Sequence, residues 1–152
     1  MKVSEVMTAP AVSVTPHVSL LEVTRRMTES AVGSVLVVEG GTLRGIVTDR
    51  DLAVRGLGGG LGREAPVDAV MTAEVATVDA DDDLQVAYRM FRRTGVRRLP
   101  VLDGGRVVGV LTIDDLFLDV FRRLVDLLGP VAWSVLQEPP GPPSAAGARH
   151  EP

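Results

Sequence analysis

The sequence contains no cysteine, which removes disulfides, thiolate metal ligands and cysteine nucleophiles together and suits a reducing cytoplasm. Aromatic residues are scarce: one Trp, one Tyr and three Phe in 152 residues, so Val, Leu and Ala must supply the core. Long hydrophobic runs are missing too. Arg, Asp or Gly interrupts every Val-rich stretch, and the opening MKVSEVMTAP lacks the apolar segment of a signal peptide. A soluble, cytoplasmic protein without a membrane anchor is expected. Histidine is limited to His17, in a loop after Pro16, and His150 near the C-terminus. No Ser/His/Asp set can be assembled from these, and no catalytic site is expected. The acidic stretch from Asp79 to Asp83 lacks the ligand spacing of an EF-hand and reads as a solvated turn and helix cap. A net charge of −4 with no basic stripe disfavours nucleic acid as a partner.

What the chain does contain is a second copy of itself. Shifted by 64 residues, Val3 to Leu52 aligns without a gap on Val67 to Leu116. Val6-Met7-Thr8-Ala9 meets Val70-Met71-Thr72-Ala73, Gly40-Gly41 meets Gly104-Gly105, and the octet GIVTDRDL (Gly45 to Leu52) meets GVLTIDDL (Gly109 to Leu116). A register that keeps turn glycines and apolar positions together over some fifty residues is a duplication.

Each copy reads as β-α-β-β-α. A short extended piece, Val12 to Val14 or Ala76 to Val78, leads to a helix capped by Ser19 or Asp83. Leu20, Val23, Met27 and Ala31 recur at helical spacing, as do Leu84, Ala87, Met90 and Phe91. Two β-branched strands follow, joined by Gly-Gly, a dipeptide suited to a tight hairpin. A second helix opens after the Thr of the octet, Asp49 to Arg55 in the first copy and Asp114 to about Leu128 in the second. Repeat 1 is therefore assigned to 1–55 and repeat 2, with its C-terminal helix, to 67–128. Residues 56–66 are too rich in Gly for an element interior and read as a linker; they lack the Lys-Ser/Thr of a P-loop. Residues 138–152, rich in Pro, Gly and Ala, read as a disordered tail.

A tandem repeat with VMT at each start, VRRLPVLD in the middle strand and G-h-h-T-x-x-D-L (h apolar) at the end resembles the cystathionine β-synthase (CBS) domain family. The resemblance covers Val3 to about Arg123. It implies an α/β (α+β) fold in which the two repeats pack about a pseudo-twofold axis as a CBS pair, or Bateman module. Such pairs commonly dimerise into a flat disc. The resemblance also implies two clefts, each drawing on both repeats, that take an adenosine-containing ligand such as AMP, ADP, ATP or S-adenosylmethionine. Carried over by motif, Thr48 and Asp51 would hold ribose or phosphate in one cleft, and Thr112 and Asp115 in the other. The adenine would lie among Val12, Val32 and Val110 in the Thr112/Asp115 cleft, and among Ile46, Ala76 and Val96 in the other. Arg97 and Arg98 would reach phosphates, and strand alternation sends their side chains to opposite faces.

Each assignment has a plainer alternative. Thr-x-x-Asp at a helix start is also a capping pattern, compatible with ribose binding. The valines are ordinary core residues, and an Arg pair can be a solvated edge. In the first copy Gly33-Ser34 replaces the Arg pair, so the two clefts should differ in phosphate affinity. Leu116, Phe117, Val120, Phe121, Leu124 and Leu128 form a stripe suited to a dimer, a partner or the helix's own repeat. The expectation is a non-catalytic sensor that needs no cofactor, binds an adenosine ligand and signals to a regulated protein. The alternative is a ligand-free dimerisation scaffold.

Overall fold

A computed structural model describes residues 1–137, so the expected tail at 138–152 lies outside the described residues. The chain divides into two compact units, Met1–Phe117 and a second that begins at Leu118. The first unit holds both repeats. Its elements are β1 (Ser13–Val14), α1 (Leu20–Ser30), β2 (Ser34–Glu39), β3 (Thr42–Thr48) and α2 (Asp49–Asp51), followed by β4 (Val78–Asp79), α3 (Leu84–Thr94), β5 (Arg98–Asp103) and β6 (Arg106–Thr112). α4 (Ile113–Gln137) starts in this unit, and its later part forms the second.

The repeats build two three-stranded sheets of identical topology, β1-β2-β3 and β4-β5-β6, each with its first pair parallel and its second antiparallel. Gly40, Gly41, Gly104 and Gly105 all have positive φ (+58°, +83°, +54° and +81°), as a two-residue hairpin turn of this kind requires. Ser19 accepts from the Glu22 N–H and Asp83 from the Gln85 N–H, so both first helices are capped where expected. Ala31 is not helical. It is the left-handed cap of α1 (φ 52°), the place that Gly95 takes after α3 (φ 69°).

The ends of the second helices differ from the sequence reading. Asp49–Asp51 runs on as a π-helical stretch, Leu52–Leu57. Gly56 and Leu57, expected to open the linker, therefore belong to the helix. Gly56 is buried, and a Cβ there would stand 3.3 Å from Leu20 Cδ1, so the glycine brings this helix close to α1. The following segment is fixed as well: the N–H groups of Leu20 and Leu21 donate to the carbonyls of Ala65 and Arg63. α4 extends to Gln137 rather than Leu128, with Pro130 inside it. Proline removes one N–H from the ladder without ending the helix here.

The apolar residues form two cores, and each contains a residue from the other repeat. Val67, at the start of repeat 2, is fully buried with Val14, Leu20, Val23, Val35 and Val47 of repeat 1. Val3, at the start of repeat 1, is fully buried with Val78, Leu84, Phe91, Leu99 and Leu111 of repeat 2. Both sit on short 3-10 turns, Val3–Glu5 and Val67–Ala69. Backbone bonds hold the exchange in place: Val3 N–H donates to Asp82, Leu84 N–H to Met1, and Val67 N–H to Val18. Burying a valine contributes about 1.5–3 kcal/mol, so each exchanged segment ties the repeats together through its neighbour's core.

Candidate functional site

The repeated octet explains its own glycines. Thr8 pairs with Val110 and Thr72 pairs with Ile46, each through two backbone hydrogen bonds of 2.8–3.0 Å. The VMT segment of each repeat thus lies along the last strand of the other. A Cβ at Gly45 would stand 2.6 Å from the Thr72 carbonyl oxygen, and one at Gly109 would stand 2.8 Å from that of Thr8. Neither glycine has positive φ, so the need is for space rather than for conformation.

Next to the Thr8–Val110 pairing lies a cavity of about 260 Å³, lined from repeat 1 by Thr8, Pro10, Ala11, Val12, Ala31, Val32, Gly33, Ser34 and Leu36 and from repeat 2 by Arg98, Val110 and Thr112. Val12, Val32, Val110 and Thr112, named from sequence for one cleft, are brought together here with Arg98. The remaining lining was not named from sequence. The signal for Thr8 was present, because VMT recurs in both copies, but the pairing that places it against the other repeat could not be read from one strand; Pro10, with Glu74 at the matching position, carried none.

Asp115 stands behind this cavity rather than in its lining. Its Oδ2 accepts the Thr112 N–H at 2.8 Å, and its own N–H donates to Thr112 Oγ1 at 3.0 Å. The same reciprocal cap occurs at Thr48 and Asp51, with bonds of 2.9 and 3.2 Å. Both motifs therefore cap their helices. They differ in one proton. Thr48 Oγ1 also donates to Asp51 Oδ2 at 3.0 Å, and Arg55 Nε lies 3.9 Å from Asp51 Oδ1. No such donation is made by the Thr112 hydroxyl, which accepts the Asp115 N–H, and Thr112 itself lines the cavity.

Arg98 and Arg97 part as alternation demands. Arg98 lines the cavity, with Nη2 3.7 Å from the place a Gly33 Cβ would occupy; Asp49 Oδ2 is 3.2 Å from the same point. The glycine leaves room between a guanidinium and a carboxylate at the mouth. Arg97 is exposed and lies 4.0 Å from Asp114, a surface pair. Of the residues named for the other cleft, Thr48, Asp51, Ile46 and Ala76 are half-buried and Val96 is 37 % exposed. Ile46 is held by Thr72. By the repeat register, Arg97 stands there where Gly33 stands here, and Ser34 replaces Arg98. Arg50 is exposed.

Two tandem repeats, exchanged segments and a cleft lined by both copies define a paired repeat module. The CBS domain model matches residues 3–57 and 67–121, and the chain belongs to the CBS domain family. It is 33 % identical over 114 residues to the CBS domain-containing protein YhcV of Bacillus subtilis, covering 75 % of this chain and 81 % of that one. The crystal structure of Hypoxic Response Protein I, the name of a Mycobacterium tuberculosis relative, superposes with a TM-score of 0.71 at 28 % identity, covering 76 % of this chain and 96 % of that one. It carries two coordinated zinc ions; among the described residues here, no three His, Cys, Asp or Glu side chains gather to hold a metal. The CBS domain protein PAE2072 of Pyrobaculum aerophilum, complexed with AMP, superposes with a TM-score of 0.68 at 25 % identity, covering 76 % and 90 %. No helix among the described residues is long and apolar enough to cross a membrane.

Proposed function

We propose that the protein is a non-catalytic sensor that binds an adenosine nucleotide in the Thr112 cavity and passes its presence to a partner protein. The observation that carries this reading is the cavity's composition: an apolar slot of Val12, Val32 and Val110, a hydroxyl donor at Thr112, and Arg98 at the mouth. An adenine ring fits between the valines, Thr112 meets the ribose, and Asp115 holds Thr112 in place through their reciprocal cap. Arg98 meets the phosphate with its planar fork of donors. At about 260 Å³ the cavity lies just under the range of about 300–1,000 Å³ for small-molecule sites. It suits one nucleotide with its phosphates at the surface. The AMP complex of PAE2072 supports the same ligand class.

The ligand prefers this cleft over its twin, because in the twin Thr48 and Asp51 satisfy each other and the Arg98 position is a serine. Its binding shifts the module only by differential affinity for two arrangements of the repeats, and phosphate held by Arg98 supplies that difference. Dimerisation belongs to the same reading, with exposed apolar residues such as Phe121 and Leu124 as the surface for a second copy.

Isothermal titration with AMP, ATP and S-adenosylmethionine tests the proposal on wild type, Asp115→Ala and Asp51→Ala. Saturable binding that Asp115→Ala weakens at least tenfold and Asp51→Ala leaves within threefold is expected. No heat with any of the three, in folded protein free of bound nucleotide, leaves a ligand-free scaffold as the function.

A further inference from the structure

The duplication offers an internal comparison that singles out the outer face of α3. In α1, Arg25 and Arg26 lie 3.9 and 3.7 Å from Glu22, and Glu29 follows on the same helix. That face neutralises itself. At the matching positions α3 carries Arg89 and Met90 with Val86 in place of Glu22, Arg93 in place of Glu29, and Arg92 in place of Thr28. The core positions stay apolar, Leu20, Val23 and Met27 against Leu84, Ala87 and Phe91, so the change in charge is not a requirement of folding.

The result is a groove of about 660 Å³ lined by Thr77, Val86, Arg89, Met90, Arg92 and Arg93. None of the three arginines has a carboxylate partner within ion-pair distance among the described residues; Arg93 Nη2 rests 3.3 Å from the Met90 sulfur. Three guanidiniums outside any close ion pair, Arg89 acting on Asp83 only at longer range, give this face of a chain of net charge −4 a local field of opposite sign to the whole.

We infer that this groove docks an acidic segment of a partner protein that also carries an apolar side chain. Val86 and Met90 give the groove an apolar floor, and the arginines at its rim match carboxylates in pairs. A long polyanion fits less well, because Asp79, Asp81, Asp82 and Asp83 stand just before α3 and repel it. The inference does not rest on the nucleotide cleft.

The test uses fluorescence anisotropy of a labelled ten-residue peptide of Glu pairs separated by single Leu residues. Its controls are the same peptide with Gln for Glu and a ten-nucleotide thymidine strand. Saturable binding of the acidic peptide alone is expected, weakening several-fold between 50 and 200 mM salt. The double variant Val86→Glu/Arg93→Glu, which writes the α1 pattern into α3, weakens it at least tenfold. Arg92→Gln/Arg93→Gln weakens it in the same direction, and Arg25→Gln leaves it within twofold, with thermal melts showing each variant folded. Absence of saturable binding, equal binding of the Gln peptide, equal loss on Arg25→Gln, or tighter binding of the oligonucleotide overturns the inference.

Discussion

Adding one methyl group at Gly45 or Gly109 probes the joint between the repeats at its narrowest point. Gly45→Ala places a Cβ 2.6 Å from the Thr72 carbonyl oxygen and 2.8 Å from Met71 Sδ. The methionine can swing away, but the carbonyl cannot move freely. It accepts the Ile46 N–H at 3.0 Å, and the Thr72 N–H donates to Ile46 at 2.8 Å. Overpacking of this kind costs about 1–3 kcal/mol, and stretching the two hydrogen bonds adds up to about 1 kcal/mol. Against this, alanine restricts the unfolded chain and returns about 0.4–1 kcal/mol. The clash wins, and a net loss of about 2 kcal/mol is expected, or roughly 4–8 °C in Tm for a chain of this size. Gly109→Ala, with contacts of 2.8 Å to Thr8 O and Met7 Sδ, should lose a similar amount. Gly62→Ala is the control: nothing lies within 4 Å and its φ is not positive, so it should be neutral or slightly stabilising. Urea melts of the three variants decide the matter. If Gly45→Ala and Gly62→Ala melt alike, the close approach of the two repeats is not what the glycine serves.

The exchanged valines make a second prediction: Val3→Ala and Val67→Ala should each cost about 1.5–3 kcal/mol in a urea melt, while Val54→Ala, 60 % exposed, should cost less than about 0.5 kcal/mol. Asp83 gives a pH dependence. The Gln85 N–H that it accepts, with help from the N-terminal ammonium and Arg89, holds its carboxyl below the usual range. A lowered folded-state pKa means stability present above the unfolded value of about 3.9 and lost as pH falls through the folded one. The Tm gap between wild type and Asp83→Ala should therefore be constant above about pH 5 and close as the acid range is entered. Lys2 acts oppositely, raised by its bond to Asp81, so its contribution holds below about pH 10.4 and fades above its raised value.

Much of this was legible because local physics and the duplication point the same way. The Gly-Gly turns, the Ser19 and Asp83 caps and the Thr-x-x-Asp helix starts follow from backbone chemistry that acts within a few residues. The grouping of Val12, Val32, Val110 and Thr112 was reached through the family resemblance. The exchange of Val3 and Val67 was not legible: an apolar residue at a repeat start shows that it must be buried, but not in whose core. The same limit hid the role of Gly45 and Gly109, which depends on a carbonyl from the other copy. The end of α4 was misjudged because Gly129-Pro130 reads locally as a stop, and one missing N–H is tolerated where the rest of the ladder continues. Gly56 misled in a similar way, since its place in a run of glycines concealed its packing against Leu20.

The central claim, that an adenosine nucleotide occupies the slot shared by the two repeats, is tested most directly by methyl NMR of valine-labelled protein titrated with AMP. Saturable shifts concentrated on the methyls of Val12, Val32 and Val110, with those of Val54 and Val86 unmoved, are the predicted result. Shifts confined to valines outside the Thr112 cavity, or none at millimolar AMP, would contradict it.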